Sequence, residues 1–275
     1  MNVLDTTFLK GYVEMALHGD QMGWHERNGG NFTYWIKPEE VALIKDDLQL
    51  HEEWLDIGTN VEGLANEYFL ISGTGKYFHN FQTNTKECIG VIQVDTTGNH
   101  YRICWGFEGG GRPTSELPSH LMNMAVKAEI TKGKHRVIYH AHCPNVIALT
   151  FLLPLSSKVI TREIWEMMTE CPIIFPEGIG VIEWMVPGGR DIAVVSSALM
   201  KQYNAIIWAH HGMFCSGIDF DETFGLMHTI EKSAQMWIYV HSCRSEKRQT
   251  IQVEEFKALA QAFHVSLNEE CLYQK

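Results

Sequence analysis

The chain of 275 residues lacks several features that mark common classes of protein. Its seven cysteines are odd in number and include no Cys-x-x-Cys pair, so neither a disulfide framework nor a cysteine-based zinc site is indicated. Unpaired thiols are typical of a reducing compartment, and we expect a cytoplasmic protein. Basic residues are in deficit, with 22 Lys and Arg against 33 Asp and Glu, and the net charge of -11 argues against a nucleic-acid partner.

Long apolar runs and internal linkers are missing as well. Residues 1–5 have neither the basic segment nor the apolar run of a signal peptide. The apolar stretch 145–153 stops at Pro154, short of the length that spans a bilayer, so no membrane partner is expected. No Pro/Ser-rich linker or repeat divides the chain, and its 45% hydrophobic content can fill a large core. We therefore expect residues 1–275 to form a single α/β domain.

The stretch 135–142, His-Arg-Val-Ile-Tyr-His-Ala-His, predicts a strand that ends in two histidines one residue apart. Alternate side chains of a strand share a face, so His140 and His142 would lie about 6.6 Å apart along the chain. Both imidazoles could then bind one ion. From this pair alone, two hydrogen-bonded core histidines are an equally good interpretation.

A second apolar run, 205–209, leads into His210 and His211. Adjacent residues of a strand face opposite sides, so only one of these histidines can join His140 and His142. We favour His211, because the glycine after it would let the chain turn sharply beside a ligand. Three histidine ligands leave zinc one or two open positions, which is the arrangement of a catalytic site.

Two loops of small residues predict binding of an anionic group. Residues 28–31, Asn-Gly-Gly-Asn, lead into a strand-like run, and residues 72–76, Ser-Gly-Thr-Gly-Lys, follow one. Such loops expose consecutive backbone N–H groups, to which a phosphate can bind. The second loop lacks the spacing of a P-loop, so a nucleoside triphosphate is not expected. Taken alone, the first loop is better explained as a plain turn.

Residues 113–118, Pro-Thr-Ser-Glu-Leu-Pro, predict the start of a helix with a hydroxyl cap and an early proline. An anion is stabilised at the positive end of a helix, where Thr114, Ser115 and Glu116 would stand. From position alone, Glu116 is best explained as a first-turn charge that complements the helix dipole.

Apolar periodicity predicts the other elements. A first helix capped by Asp5 or Thr6 should end near Gly19, and strands are expected at 172–175 and 180–186. This pattern indicates a mixed sheet covered by helices on both faces. Further helices are expected at 144–153, 157–169, 191–203, from 219 or 221 to 242, and at 254–264, and further strands at 32–36, 67–71, 88–94 and 101–105.

Taken in order, these motifs resemble those of the class II aldolase/adducin-like family. The similarity extends from about Leu9 to Phe263, and the sequence departs from the family pattern mainly at 37–66 and after Phe263. Each motif is weak by itself, whereas their combination in this order is highly specific. The matching blocks are residues 24–31, 72–75, 113–118, 140–142, 175–178, 184–187, 211–212 and 221–226.

The resemblance implies one catalytic domain with a mainly antiparallel sheet in a three-layer α/β/α fold. It also implies that His140, His142 and His211 hold one Zn²⁺ per subunit and that Glu116 is the catalytic acid/base. Enzymes of this family are homotetramers, and in one branch a carboxylate matching Glu170 is thought to reach a neighbouring subunit's site. The implied ligands of the substrate phosphate are Asn28, Asn31, Ser72, Gly73, Thr114 and Ser115.

The implied reaction cleaves a ketose phosphate between C3 and C4 to dihydroxyacetone phosphate and an aldehyde. Zinc would act as a Lewis acid for the charge left on the three-carbon fragment, and a carboxylate would move the proton. No lysine Schiff base is then needed. Related fuculose-phosphate aldolases and pentulose-phosphate 4-epimerases are the alternatives. The epimerases have aspartate where Glu116 stands, and the fuculose enzymes lack the block 184–187.

Other classes of protein explain the histidines less well. Adducin-type head domains keep the fold as interaction modules but lack the zinc histidines. A cupin would place a glutamate four or five residues after His142, where this chain has Val146 and Ile147. An α-carbonic anhydrase would bring its third histidine much sooner in the chain.

Overall fold

The computed structural model describes residues 1–243 and 247–273. The strands of these residues are β1 (Asn31–Trp35), β2 (Leu55–Asp56), β3 (Tyr68–Ser72), β4 (Ile89–Val94), β5 (His100–Gly106), β6 (Val137–Ala141), β7 (Gly180–Ile182), β8 (Ala205–Trp208) and β9 (Gly212–Gly217). They form one sheet in the order β2-β5-β4-β3-β1-β6-β9-β8-β7. Within it, β7 and β8 are parallel and the other neighbours are antiparallel. The expected mixed, mainly antiparallel sheet is confirmed.

Ten α-helices are found in the same residues. They are α1 (Thr7–Gln21), α2 (Pro38–Ile44), α3 (Thr85–Cys88), α4 (Leu117–Ile130), α5 (Pro144–Leu152), α6 (Ser157–Trp165), α7 (Cys171–Ile174), α8 (Arg190–Met200), α9 (Phe220–Ser242) and α10 (Val253–Phe263). None of these helices has by itself the length and apolar character to cross a bilayer. Only α5 and α6 taken together, across a bend of 120°, meet that test by length and composition.

The two faces of the sheet belong to two separate cores. On β6, Ile138 points into one core and Tyr139 into the other, as the two-residue period of a strand requires. Helices α4 and α8 pack against each other over the face of Ile138. Helices α1, α5 and α9 cover the opposite face, where Tyr12, Val146 and Ile230 join Tyr139. Helices on both faces give the predicted three layers.

The first helix begins as predicted and ends later than predicted. Thr6, one of the two expected caps, accepts the Leu9 N–H at 3.3 Å through its hydroxyl. The helix continues past Gly19 to Gln21. A Cβ at Gly19 would lie 2.1 Å from the Tyr139 hydroxyl, so this glycine permits a close approach between helix and sheet rather than a helix stop.

One expected strand is wrong and another is too long. Residues 172–175 belong mostly to helix α7, and Pro172 lies in its first turn, where no backbone N–H is needed. A short apolar run does not by itself distinguish a strand from a buried helical turn. The strand expected at 180–186 ends at Ile182, and Trp184 beyond it is exposed.

Candidate active site

Three histidines meet at the end of the central strand β6. His140 is the next-to-last residue of β6, His142 follows its end, and His211 lies in the turn between β8 and β9. Strand β9, which the sequence did not predict, pairs with β6 on one side and β8 on the other, so the turn before β9 reaches the end of β6. One ligand atom from each histidine lies within 4.8 Å of the others.

The turn between β8 and β9 separates two adjacent histidines. His210 has a positive φ of 61°, and its Nδ1 lies 3.0 Å from Thr150 Oγ1, whereas His211 joins the cluster. The preferred histidine is therefore the one that the structure brings to the site, but the expected reason is wrong. The left-handed residue of the turn is His210, not Gly212. A Cβ at Gly212 would lie 2.5 Å from Ala141 O, so the glycine is needed for close packing of two strands.

The chemistry of the three rings fits a bound metal ion. His140 Nδ1 donates to Met213 O at 3.1 Å, which leaves Nε2 buried with no hydrogen-bond partner among the described residues. His211 Nδ1 is also buried and, within the same residues, unpartnered. Burial lowers the pKa of His140 well below its usual value and that of His211 to about 4. Both rings are thus neutral at pH 7, which is the form that binds zinc.

Glu26 contacts His142 from the loop before β1. Its Oε1 lies 2.6 Å from His142 Nδ1, so that nitrogen donates and Nε2 remains available to a metal. Gly29 makes room for this pair, because a Cβ there would lie 2.7 Å from His142 Nδ1 and 2.9 Å from Glu26 Oε1. The glycine-rich loop therefore approaches the histidine cluster directly.

Glu116, the residue before α4, lies beside the histidines. Its side chain is buried, and Oε2 accepts an amide N–H of Asn31 at 3.0 Å and lies 3.5 Å from His140 Nε2. Oε1 lies 3.9 Å from His211 Nε2. Burial raises the pKa of Glu116 to about 7, and the hydrogen bond from Asn31 acts in the opposite direction. The carboxyl group can therefore exchange a proton with a molecule bound at the histidines.

The hydroxyl cap expected for α4 is not formed. The N-cap residue is Glu116, and its side chain makes no capping hydrogen bond. Thr114 Oγ1 instead accepts the backbone N–H of Glu116 at 3.3 Å. This contact fixes the backbone at Glu116 and leaves its carboxyl group for the histidine cluster.

The second predicted anion loop lies against the start of α4. Ser72 Oγ accepts the Phe32 N–H at 3.2 Å, and Ser72 O accepts the Thr114 N–H at 2.9 Å. Gly73 and Pro113 form an isolated β-bridge. The structure therefore brings Ser72, Gly73 and Thr114 together next to β1.

The other expected phosphate ligands differ in exposure. Asn28 and Ser115 are exposed, and Asn28 precedes the glycine that packs against the histidine cluster. Asn31 is buried, and its amide is bonded to Glu116 and His120. Its Oδ1 and one N–H of its Nδ2 are thus engaged within the protein, which leaves only the second N–H of this side chain for a phosphate.

A family model decides the relationship suggested by these motifs. Residues 11–238 match the class II aldolase and adducin N-terminal domain. The chain belongs to this family. The rhamnulose-1-phosphate aldolase of Mannheimia succiniciproducens is 43% identical over 96% of this chain and 97% of that protein. The rhamnulose-1-phosphate aldolase of Escherichia coli O139:H28 is 39% identical over 96% of each.

The fold of this class II aldolase is shared with solved structures. A sugar-phosphate aldolase from Thermotoga maritima superposes with a TM-score of 0.72 at 24% identity, over 87% of this chain and 97% of that one. An L-fuculose 1-phosphate aldolase gives a TM-score of 0.61 at 16% identity, over 94% and 97%. At these identities the likeness concerns the fold, and it confirms the predicted α/β class.

Glu170 is not grouped with the histidines of this aldolase. It is the exposed residue before α7, a helix that packs against α6, α9 and α10. The expectation that it reaches a neighbouring subunit's site stays a prediction.

Sequence reasoning missed two residues that contact the site. His120 follows Glu116 by four residues on one helix, and this spacing could have placed both on one face. No comparable spacing in the sequence points to Glu26, because the direction of its side chain depends on the path of an irregular loop.

Proposed function

We propose that this class II aldolase cleaves L-rhamnulose 1-phosphate to dihydroxyacetone phosphate and L-lactaldehyde. The main support is the buried carboxyl group of Glu116, 3.5 Å from a nitrogen of His140 in the three-histidine cluster. The names of the relatives at 43% and 39% identity support the substrate. A retro-aldol assay on rhamnulose, fuculose and ribulose phosphates tests the proposal. The highest kcat/KM should belong to rhamnulose 1-phosphate, and a higher value for another ketose phosphate would contradict it.

Under this proposal His140, His142 and His211 hold one Zn²⁺ per subunit, since three neutral imidazoles leave an open position for a substrate. Zinc bound there supplies a Lewis acid for negative charge on the ketose oxygens as the C3–C4 bond breaks. Glu116 moves the proton: it takes one from the C4 hydroxyl as the aldehyde forms and returns it to C3 of dihydroxyacetone phosphate, and in synthesis it removes that C3 proton. Its burial keeps bulk water away from that proton.

The phosphate is proposed to bind where the two loops meet the start of α4. Small residues and hydroxyls offer hydrogen bonds there, and the positive end of the helix favours an anion. The proposed ligands are Asn28, Ser72, Gly73, Thr114 and Ser115, together with Asn31, whose amide also contacts Glu116 and His120. This local arrangement lets a chain of net charge -11 bind an anionic substrate.

Asn28→Ala should raise KM for the phosphorylated ketose far more than it lowers kcat, because the lost contact is made equally in the ground and transition states. Asn28 is exposed, so its removal leaves no buried partner. Ser72→Ala should act in the same direction but also cost about 1–3 kcal/mol of folding free energy, since the Phe32 N–H loses its acceptor. The assay compares phosphorylated with unphosphorylated substrate, and equal damage with both would refute the phosphate contact.

Glu26→Ala should weaken zinc affinity by about 10–100-fold, because a carboxylate on the second nitrogen orients a histidine ligand and raises its basicity. Glu26→Gln should fall between this variant and the wild type, since an amide oxygen still accepts the N–H. Glu129→Ala is the control, because Glu129 is also an exposed glutamate but lies on α4. The affinities are measured by competition with a chromogenic chelator. Unchanged affinity in Glu26→Ala would show that the contact does not support His142.

A related activity on fuculose phosphate or epimerisation of a pentulose phosphate is the second candidate, because the fuculose enzyme shares the fold.

We further propose that residues 1–275 form one catalytic domain, that the enzyme is a cytoplasmic homotetramer, and that Glu170 reaches a neighbouring subunit's site. The exposure of Glu170 and of Ile174 on the same helical turn supports a subunit contact there.

A further inference from the structure

The side chain of Asn31 joins two residues of α4. Its Nδ2 donates to Glu116 Oε2 at 3.0 Å, and its Oδ1 lies at hydrogen-bond distance from His120 Nε2. All three residues are buried, with exposures of 8% for Asn31, 6% for Glu116 and 0% for His120. Glu116 and His120 are one helical turn apart, so the helix presents both side chains to the same amide.

Asn31 is held in this position from the sheet. It is the first residue of β1, and its pairing partner on β6 is His140. The amide is therefore anchored beside His140, a proposed metal ligand, and reaches across to α4. A small movement of this side chain would move the hydrogen bond to Glu116.

The chemistry of the three groups determines where the protons lie. In the ionised form in which it acts as base, Glu116 only accepts hydrogen bonds, so Asn31 turns its NH₂ to Glu116 and its oxygen to His120. His120 Nε2 then has to be the donor. Nδ1 of His120 is buried with no hydrogen-bond partner among the described residues, which is consistent with a neutral ring protonated at Nε2.

We infer that His120 is a positioning residue for catalysis: it fixes the amide of Asn31, and Asn31 fixes Oε2 of Glu116. Oε1, which has no hydrogen bond in the described part of the chain and lies 3.9 Å from His211 Nε2, is then the oxygen that moves the proton. The inference rests on the proposed role of Glu116 as acid/base. It also gives Asn31 a different task from phosphate binding.

The test compares His120→Phe with His120→Gln in the zinc-loaded, full-length protein. Phenylalanine keeps a ring beside Phe214, whose centroid lies 5.4 Å from that of His120, but it removes the donor. The kcat for cleavage and the exchange of the C3 proton of dihydroxyacetone phosphate should both fall about 10-fold or more, with KM and zinc content unchanged. Glutamine can donate an amide N–H to Asn31 and should restore most of the loss.

Ser119→Ala is the matched control for these variants. Ser119 is the preceding residue of α4, is fully buried, and has a hydroxyl without a hydrogen-bond partner in the described residues. Both rates should stay at the wild-type level in this variant. A loss as large as that of His120→Phe would mark a general disturbance of α4 and overturn the inference.

Nitrogen-15 NMR of histidine-labelled protein adds a measurement that does not depend on turnover. His120 should be neutral and protonated at Nε2 in the wild type, with its resonance assigned by its disappearance in His120→Gln. A proton at Nδ1 would overturn the inference even if His120→Phe failed to fold.

The kinetic outcomes distinguish two failures. If zinc-loaded His120→Phe exchanges the C3 proton at the wild-type rate while Glu116→Gln does not, the positioning role is wrong and the proposed base stands. If Glu116→Gln itself exchanges at the wild-type rate, the proposed base is wrong and the inference falls with it. A loss in His120→Phe that appears mainly in KM or zinc content also overturns the positioning role.

Discussion

Glu116→Gln is expected to lower kcat by about two to four orders of magnitude in both cleavage and synthesis, because one group serves both directions. The structure indicates that the loss should be confined to proton transfer. Glutamine matches the shape of glutamate, and its oxygen can still accept the N–H of Asn31 that Oε2 accepts. KM and zinc content should therefore stay close to wild type.

The decisive measurement is the exchange of the C3 proton of dihydroxyacetone phosphate with solvent, since this step needs the base but no aldehyde. Glu67→Gln is a matched control, because Glu67 accepts the Trp35 indole N–H at 2.8 Å and precedes β3 at the end remote from Ser72. Exchange at the wild-type rate in Glu116→Gln would assign the base to another residue and leave Glu116 as a helix-start charge.

The histidine cluster could be predicted because it depends on short-range geometry. Alternation along β6 puts His140 and His142 on one side. The second apolar run, 205–209, left only the choice between His210 and His211 as the third ligand. The choice of His211 agrees with the structure, whereas its stated reason does not. A sequence shows that a tight turn is near, but the pairing of β8 with β9 determines that His210 adopts the left-handed conformation and that Gly212 packs against β6.

The elements that were missed or misassigned have weak or ambiguous local sequence patterns. Strand β9 is bounded by glycines and has no long alternating pattern, and it exists because β6 and β8 pair with it on both sides. At 172–175 the apolar run is too short for its period to separate helix from strand, and a proline suits the first turn of a helix. Tertiary contacts rather than local propensity determine elements with such patterns.

The contacts of the Asn31 side chain could not be predicted from its sequence motif. Its motif places it in a loop near the substrate, but the direction of its side chain follows from the pairing of β1 with His140 on β6 and from the approach of α4. Neither relation can be read from the order of residues. The same applies to Glu26, whose contact with His142 joins residues far apart in the chain.

His142→Ala is expected to abolish bound zinc and activity while leaving a folded protein, because two remaining histidines are too few for a catalytic zinc site. His142 follows the end of β6 with 16% of its side chain exposed, and the side chain of its partner Glu26 is 66% exposed, so the substitution leaves no buried unpaired group. His140 is a poorer choice, since it is fully buried and Met213 O would lose its donor.

His210→Asn is the matched control for the loss of zinc. Asparagine tolerates the positive φ at this position, and His210 lies next to His211 but contacts Thr150 instead of the cluster. Metal analysis after dialysis should give about one zinc per chain in the control and almost none in His142→Ala, with similar unfolding temperatures. If His142→Ala kept stoichiometric zinc, His142 would not be a ligand. Its contact with Glu26 would then be a surface ion pair, which contributes little to stability.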